Sequence, residues 1–375
     1  SKGKDNLKNF QQLGYILNNN ISIVNQGENG SIRSSISHVY NQGQFPNQRL
    51  NKITYYLGGN LDLGKFSLES NLSYSKHISP NIRGNQYSGG YLYNLIGWLG
   101  AEWDLKEYSN YWMVEDEQQN WFNNEWYDNP YFIANEVIQS ADRDILNGFV
   151  MASYKFTPWM KLSLRTGLDF YIDRYISRNP ISARNAWSEL GYYKDEKNTG
   201  YSNNNDLILS AEKQYGNFRI DGLVGGTIFI TRDDYFNAYT QGGLSVPGFY
   251  SLRASVDPIG WNTSIERRQV NSLYGRVTGS WKSLVYLDVT GRNDWSSTLS
   301  EENRSYFYPS VAGSVVLSEL LQNVSWLDLW KVRTSWTMSK TPAGIYDINA
   351  NYIVNNEVWG GYNSAYYPSE LRGSD

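Results

Sequence analysis

The densest run of side chains able to do chemistry lies between Trp98 and Phe132. There Trp98, Trp103, Tyr108, Tyr111, Trp112, Trp121, Phe122, Trp126, Tyr127 and Tyr131 alternate with Asp104, Glu107, Glu115, Asp116, Glu117, Glu125 and Asp128. Flat apolar rings beside carboxylates and amides can stack on sugar faces and hydrogen-bond hydroxyls, or grip peptide side chains. A later segment repeats the composition with Trp359, Gly360, Gly361, Tyr362, Tyr366 and Tyr367. Three uses compete for such rings: contact with a ligand, contact with a protein partner, and packing of the segment's own small core. The candidates for ligand or partner contact are Trp103, Tyr111, Trp112, Trp121, Trp126, Tyr127, Trp359, Tyr362 and Tyr366.

Covalent chemistry has less to stand on. Glu115, Asp116 and Glu117 offer carboxylates of the kind glycoside hydrolysis sets across a bond, but adjacent acids in a polar loop are far more often solvated charge. No nucleophile elbow, Walker loop or zinc-ligand spacing occurs. With no cysteine there is no disulfide framework and no thiolate, and His38 and His77 are the only histidines, which argues against His-cluster metal sites. Asp233 and Asp234 lie in no EF-hand-like spacing. The chain is therefore expected to be no enzyme and to need no cofactor. Its 33 basic and 37 acidic residues are spread along the chain, so there is no nucleic-acid footprint.

The elements that must hold these loops are strands. From Trp159 to Ile172, Met160, Leu162, Leu164, Leu168, Phe170 and Ile172 share one parity, with Lys161, Ser163, Arg165 and Asp169 on the other. That is a strand with one oily face and one wet face. The same alternation predicts strands over 21–27, 32–40, 53–63, 65–77, 146–157, 159–172, 203–214, 217–230, 268–281, 283–293, 306–317 and 329–338. Tight turns such as Leu63-Gly64 and Thr157-Pro158 alternate with longer connections at 41–52, 78–145, 173–202, 231–267, 294–305 and from 339 onward. An antiparallel meander with one tidy rim and one elaborate rim is the arrangement of outer-membrane barrels.

Mean hydropathy is −0.56 and no apolar run approaches the ~18 residues of a membrane helix, which excludes a helical membrane protein. A barrel is compatible, because only alternate residues face lipid, and the many Tyr and Trp suit interface girdles. In 283–293, Asp288 and Arg292 fall on the face opposite Val285, Leu287 and Val289, as a wet lumen requires. An ordinary solvent face of a soluble propeller or sandwich satisfies the same pattern.

The block 272–320 goes further. Tyr274-Gly275-Arg276-Val277, Arg292-Asn293-Asp294-Trp295-Ser296-Ser297, Tyr308-Pro309-Ser310-Val311 and Ser318-Glu319 resemble the barrel signature of SusC/RagA-like TonB-dependent outer-membrane transporters. Gly43-Gln44-Phe45-Pro46 with its flanking strands, and Lys331-Val332-Arg333-Thr334-Ser335-Trp336, are similar to further strands of that family. The resemblance implies an all-β fold: an antiparallel transmembrane β-barrel wall with long extracellular loops and short periplasmic turns. Family barrels have 22 strands and a plugged lumen, so about a dozen strands over 1–375 are expected to be an internal part of the barrel domain. No plug domain, TonB box or C-terminal closing strand is recognised in the chain.

The resemblance further implies outer-membrane import of oligosaccharides or peptides, a SusD-like surface lipoprotein as lid, and energy from TonB through parts outside this chain. On that basis Glu69, Arg165, Asp169, Arg276, Asp288 and Arg292 are lumen-facing candidates. The alternatives are a soluble all-β glycan-binding or adhesin module and a passive outer-membrane porin.

Overall fold

A computed structural model describes residues 4–82, 90–122, 127–184, 189–320, 326–349 and 351–367. Twelve strands form one antiparallel sheet, each hydrogen-bonded to its neighbour in sequence order. They are β1 (Tyr15–Gly27), β2 (Gly30–Gln42), β3 (Arg49–Leu63), β4 (Phe66–Ser79), β7 (Ile138–Thr157), β8 (Met160–Ile181), β9 (Leu190–Tyr215), β10 (Phe218–Leu244), β11 (Ser255–Trp281), β12 (Val285–Ser296), β13 (Ser305–Val316) and β14 (Lys331–Thr337). Two small hairpins stand outside the sheet: β5 (Trp112–Val114) with β6 (Gln118–Gln119), and β15 (Ile353–Trp359) with β16 (Tyr362–Tyr366). Each strand expected from the alternation is present. The tight turns close through Gly64 at φ 75° and Gly216 at φ 56°, left-handed conformations that two-residue hairpins need and glycine adopts without strain.

Register fixes the two faces, because cross-strand partners point to the same side. Ile21, Ile36, Tyr55, Tyr74, Leu146, Phe170 and Tyr201 form one row from β1 to β9. Leu63, Phe66, Tyr154, Leu162, Leu209 and Val224 form a second row on that face, nearer the tight turns. Val277, Val289, Val311 and Trp336 form a further row on the same face, two residues nearer the tight turns, from β11 to β14. Among the described residues none covers this face at the paired Leu164 and Leu207, which are 57% and 52% exposed. So broad an apolar surface calls for an apolar neighbour.

The band has sharp limits. At the tight-turn rim, Lys213 Nζ lies 5.5 Å from the Trp159 ring centre and 4.9 Å from that of Tyr215, and Lys282 Nζ lies 5.0 Å from that of Trp281. Just beyond the Tyr55–Tyr201 row the same face turns ionic. Lys76 bridges Asp142 and, at 2.8 Å, Asp144; Arg174 meets Asp195 at 2.7 Å and Arg232 meets Asp234 at 2.8 Å. Between these limits lie 146–156 of β7 and 160–170 of β8, matching the ~9–11 residues of a tilted membrane-crossing strand.

The strands do not stop at the band, which corrects the expected connections. Most of 173–202 and 231–267 is strand: β8 runs on to Ile181, β9 starts at Leu190, β10 reaches Leu244 and β11 starts at Ser255. Lys197, for instance, pairs with Arg174 on one side and Phe236 on the other. Above the band polar residues occupy both faces, so the period-two signal fades while backbone pairing continues.

The buried hydrophobic core of the described residues is not in the sheet. Residues 90–122 and 127–137 fold around Tyr91, Leu95, Leu99, Leu105, Trp121, Phe132, Ile133 and Val137, joined by Phe10 of α1 (Asn6–Phe10). Two further short helices, α2 (Tyr91–Tyr93) and α3 (Pro130–Asn135), contribute to it. Asn129 is the hub. It caps α3 by accepting from the Tyr131 N–H at 2.8 Å, and its amide donates to the carbonyls of Tyr108 and Asn120 at 2.8 and 2.9 Å. The adjacent Asp128 carboxylate accepts from Gln119 at 2.6 Å and from the Arg184 N–H at 2.8 Å, tying this unit to the connection after β8.

Two predictions follow from this division of labour. In lipid vesicles, Leu164→Arg on the apolar face is expected to cost about 2–4 kcal/mol, whereas Asn147→Arg on the opposite face costs about 0.5 kcal/mol or less. Denaturant titration reads both, and equal costs would mean that the faces meet the same medium. Asn129→Ala is expected to loosen the rim unit by about 1–3 kcal/mol, speeding hydrogen exchange over 90–137 but not over 160–170. Uniform acceleration would contradict a separate rim core.

Candidate functional site

The rim aromatics separate into packed and presented rings. Trp121 is 6% exposed and lies edge-on to Tyr108 at 5.0 Å. Trp112 is edge-on to Phe132 at 5.0 Å. The Tyr111 hydroxyl donates to Glu136 Oε1 at 2.9 Å, and burial, reinforced by this carboxylate, pushes its pKa up to about 12. These three spend their surface on the rim unit's own core.

Trp103 stacks on Phe122 at 4.5 Å with the planes 3° apart, and Tyr127 stacks on Trp98 at 4.4 Å. Trp103 and Trp98 keep 40% and 51% of their surface open. Trp359, Tyr362 and Tyr366 sit on the β15–β16 hairpin around the Gly360-Gly361 turn, with Trp359 86% exposed. Trp126 lies outside the described residues.

The face opposite the apolar band carries the other candidates. One row runs Asn60, Glu69, Met151, Arg165, Asp206, Thr227, Ser272, Asp294 and Tyr306. Asp169, Arg276, Asp288 and Arg292 share its parity, so Glu69, Arg165, Asp169, Arg276, Asp288 and Arg292 all lie on one side of the sheet. Two clusters gather some of them. Nearer the tight turns, Arg276 meets Asp221 at 3.3 Å and reaches within 4.0 Å of Asp288, whose carboxylate accepts from Thr278 at 2.6 Å. Further up, Arg292 pairs with Asp294 at 2.7 Å, donates to Ser272 at 2.8 Å and lies over the Tyr274 ring. Asp169 accepts from Ser202 at 3.3 Å. Glu69 joins neither cluster.

A cavity of about 420 Å³ opens on this face, lined among others by Asp206, Thr227, Phe229, Arg268, Tyr306 and Tyr308. Tyr308 belongs to the Tyr308-Pro309-Ser310-Val311 motif, but none of the six was a site candidate from sequence. They come from separate strands and meet only through register; the available signal was the parity they share with Arg292. Among the described residues no group of three or more His, Asp or Glu is placed to hold a metal ion. The surfaces suit reversible binding of polar solutes at the rim and along the wall.

No family model matches the chain. It is similar to TonB-dependent receptor P3 of Formosa agariphila, 21% identical over 224 residues, which is 58% of this chain and 22% of that receptor. TonB-dependent receptor P26 of the same organism is 25% identical over 345 residues, 88% of this chain and 33% of the receptor. The chain thus spans a third or less of the length of these curated relatives. In fold it is similar to the RagAB peptide transporter, with a TM-score of 0.80 at 16% identity, covering 99% of this chain and 42% of that one. The ferric-catecholate import receptor Fiu of E. coli K12 superposes with a TM-score of 0.55 at 10% identity over 88% of this chain and 54% of its own. In sequence the chain is thus similar to TonB-dependent receptors, and its twelve-stranded sheet has the fold of a barrel wall like that of the RagAB transporter.

Proposed function

We propose that the chain forms wall and outer rim of an outer-membrane active importer that takes up oligosaccharides or peptides. The observation that carries this is the two-faced sheet: an uncovered apolar band of membrane-crossing height backed by a continuous polar and ionic face. A solute passing along the polar face meets Glu69, Arg165, Asp169, Arg276, Asp288 and Arg292. The sheet ends at β1 and β14, each paired on one side only among the described residues. Unpaired backbone edges are not tolerated in a bilayer, so residues 1–375 are one part of a barrel domain that further strands close.

Energy coupling then runs through a plug and a TonB-binding segment that these residues do not provide, and the wall does no covalent chemistry. Similarity to a protein described as a peptide transporter supports import, and rim aromatics with carboxylates suit glycans equally well. The exposed rings Trp103, Trp359, Tyr362 and Tyr366, with the partly buried Tyr127, are the surface for a SusD-like lipoprotein lid or for captured substrate, as aromatic-rich interfaces favour.

Accumulation of labelled oligosaccharides and peptides by cells carrying the complete receptor tests the proposal, with and without TonB. Uptake of at least one class is expected to be lost without TonB. Uptake that persists unchanged would make the protein a passive porin, and a receptor that is monodisperse without detergent would make it a soluble module.

A further inference from the structure

The cavity between β9 and β13 holds two charges that its other polar groups leave without a counter-ion. Arg268 rests over the Phe229 ring at 5.6 Å, its Nε is buried without a hydrogen-bond partner, and it makes no ion pair among the described residues. Asp206 is 8% exposed and accepts from Thr227 Oγ1 and Asn204 Nδ2, both at 2.6 Å and both neutral. The cation opposite it in register, Arg165, is turned onto the Phe149 ring at 4.6 Å. Arg292 in the same cavity differs, since Asp294 answers it at 2.7 Å.

A buried guanidinium donor with no acceptor is costly. Phe229 steadies the cation but offers no oxygen, so the buried Nε of Arg268 is open to an acceptor from beyond the described wall. The planar fork of an arginine matches the two oxygens of a carboxylate better than any neutral group. Asp206, held by neutral donors alone, can still accept an N–H or O–H from the same guest.

We propose that this cavity is a carboxylate-binding subsite, with Arg268 donating to the ligand carboxylate and Asp206 accepting from its neighbouring N–H or O–H. The proposal rests on the import reading and adds that the substrate is acidic. A peptide C-terminus or acidic side chain and a uronic acid residue present the same chemistry, and a volume of about 420 Å³ is within the range of small-ligand sites.

The test uses the complete receptor in detergent and four fluorescent probes. Two are tetraalanine with a free C-terminal carboxylate and its C-terminal amide; two are tetragalacturonate and neutral tetragalactose. The receptor is expected to bind at least one acidic probe more tightly than its neutral mate, and which pair shows the difference identifies the source. Arg268→Gln is expected to weaken the acidic probe about tenfold or more, as loss of a charge-assisted hydrogen bond does, while leaving the neutral mate unchanged. Arg268→Lys, which keeps the charge without the fork, falls between, and it carries the comparison if Arg268→Gln does not assemble.

Unchanged affinities in the variants, equal weakening of acidic and neutral probes, or no preference for either acid in the parent receptor would overturn the subsite. TonB-dependent accumulation of a neutral probe would leave the import reading standing in each of those cases.

Discussion

Within an apolar layer a backbone N–H or C=O has no water to bond, and each unpaired group costs several kcal/mol. The structure answers this with uninterrupted neighbour pairing from β1 to β14. Once every strand is paired antiparallel to its sequence neighbours, parity decides which side chains meet lipid and which meet water, and a one-residue slip would exchange the faces of a whole strand. Rows such as Ile36, Tyr55, Tyr74 and Leu146 on one face, and Glu69, Met151, Arg165 and Asp206 on the other, are consequences of that single ladder. The ladder also explains why strands can rise beyond the band: pairing satisfies the backbone in water as well as in lipid.

This geometry places the chemistry. At the height of the apolar band ionic groups collect on the opposite face, where Arg276 with Asp221 is a partly exposed pair worth little as stability when solvated, and half-exposed Arg292 pairs with a buried Asp294. On the proposed import reading their value is a polar path along the wall. The hydrophobic core proper belongs to the rim unit around Phe10, Tyr91 and Phe132, so rim and wall are held by different forces. Burial of aromatic rings shapes the rim, and backbone hydrogen bonds shape the wall.

Sequence showed the wall where physics made it periodic and missed it elsewhere. The alternation from Met160 to Phe170 is visible because lipid and water act on alternate residues. Residues 194–199, Lys-Asp-Glu-Lys-Asn-Thr, look like a loop because both of their faces are wet, yet they pair with β8 and β10. The rim aromatics were legible as a group but not one by one. Nothing in the local spacing separates Trp121, buried against Tyr108, from Trp103, open on Phe122, because burial is decided by a cluster that also draws in Phe10 from near the start of the chain. The cavity around Arg268 and Asp206 was invisible for the same reason: its residues become neighbours only once the register is known.

The central claim is that one parity of β8 faces lipid and the other faces water. The chain contains no cysteine, so once any cysteine elsewhere in the complete receptor is replaced, spin labels can be placed singly at each residue from 160 to 176 in lipid vesicles. Accessibility to oxygen is predicted to peak at Leu162, Leu164 and Leu168, accessibility to a water-soluble nickel chelate at Lys161, Ser163, Arg165 and Asp169, with the period-two contrast fading beyond Ile172. Uniform access of the nickel chelate along the whole strand would contradict the account.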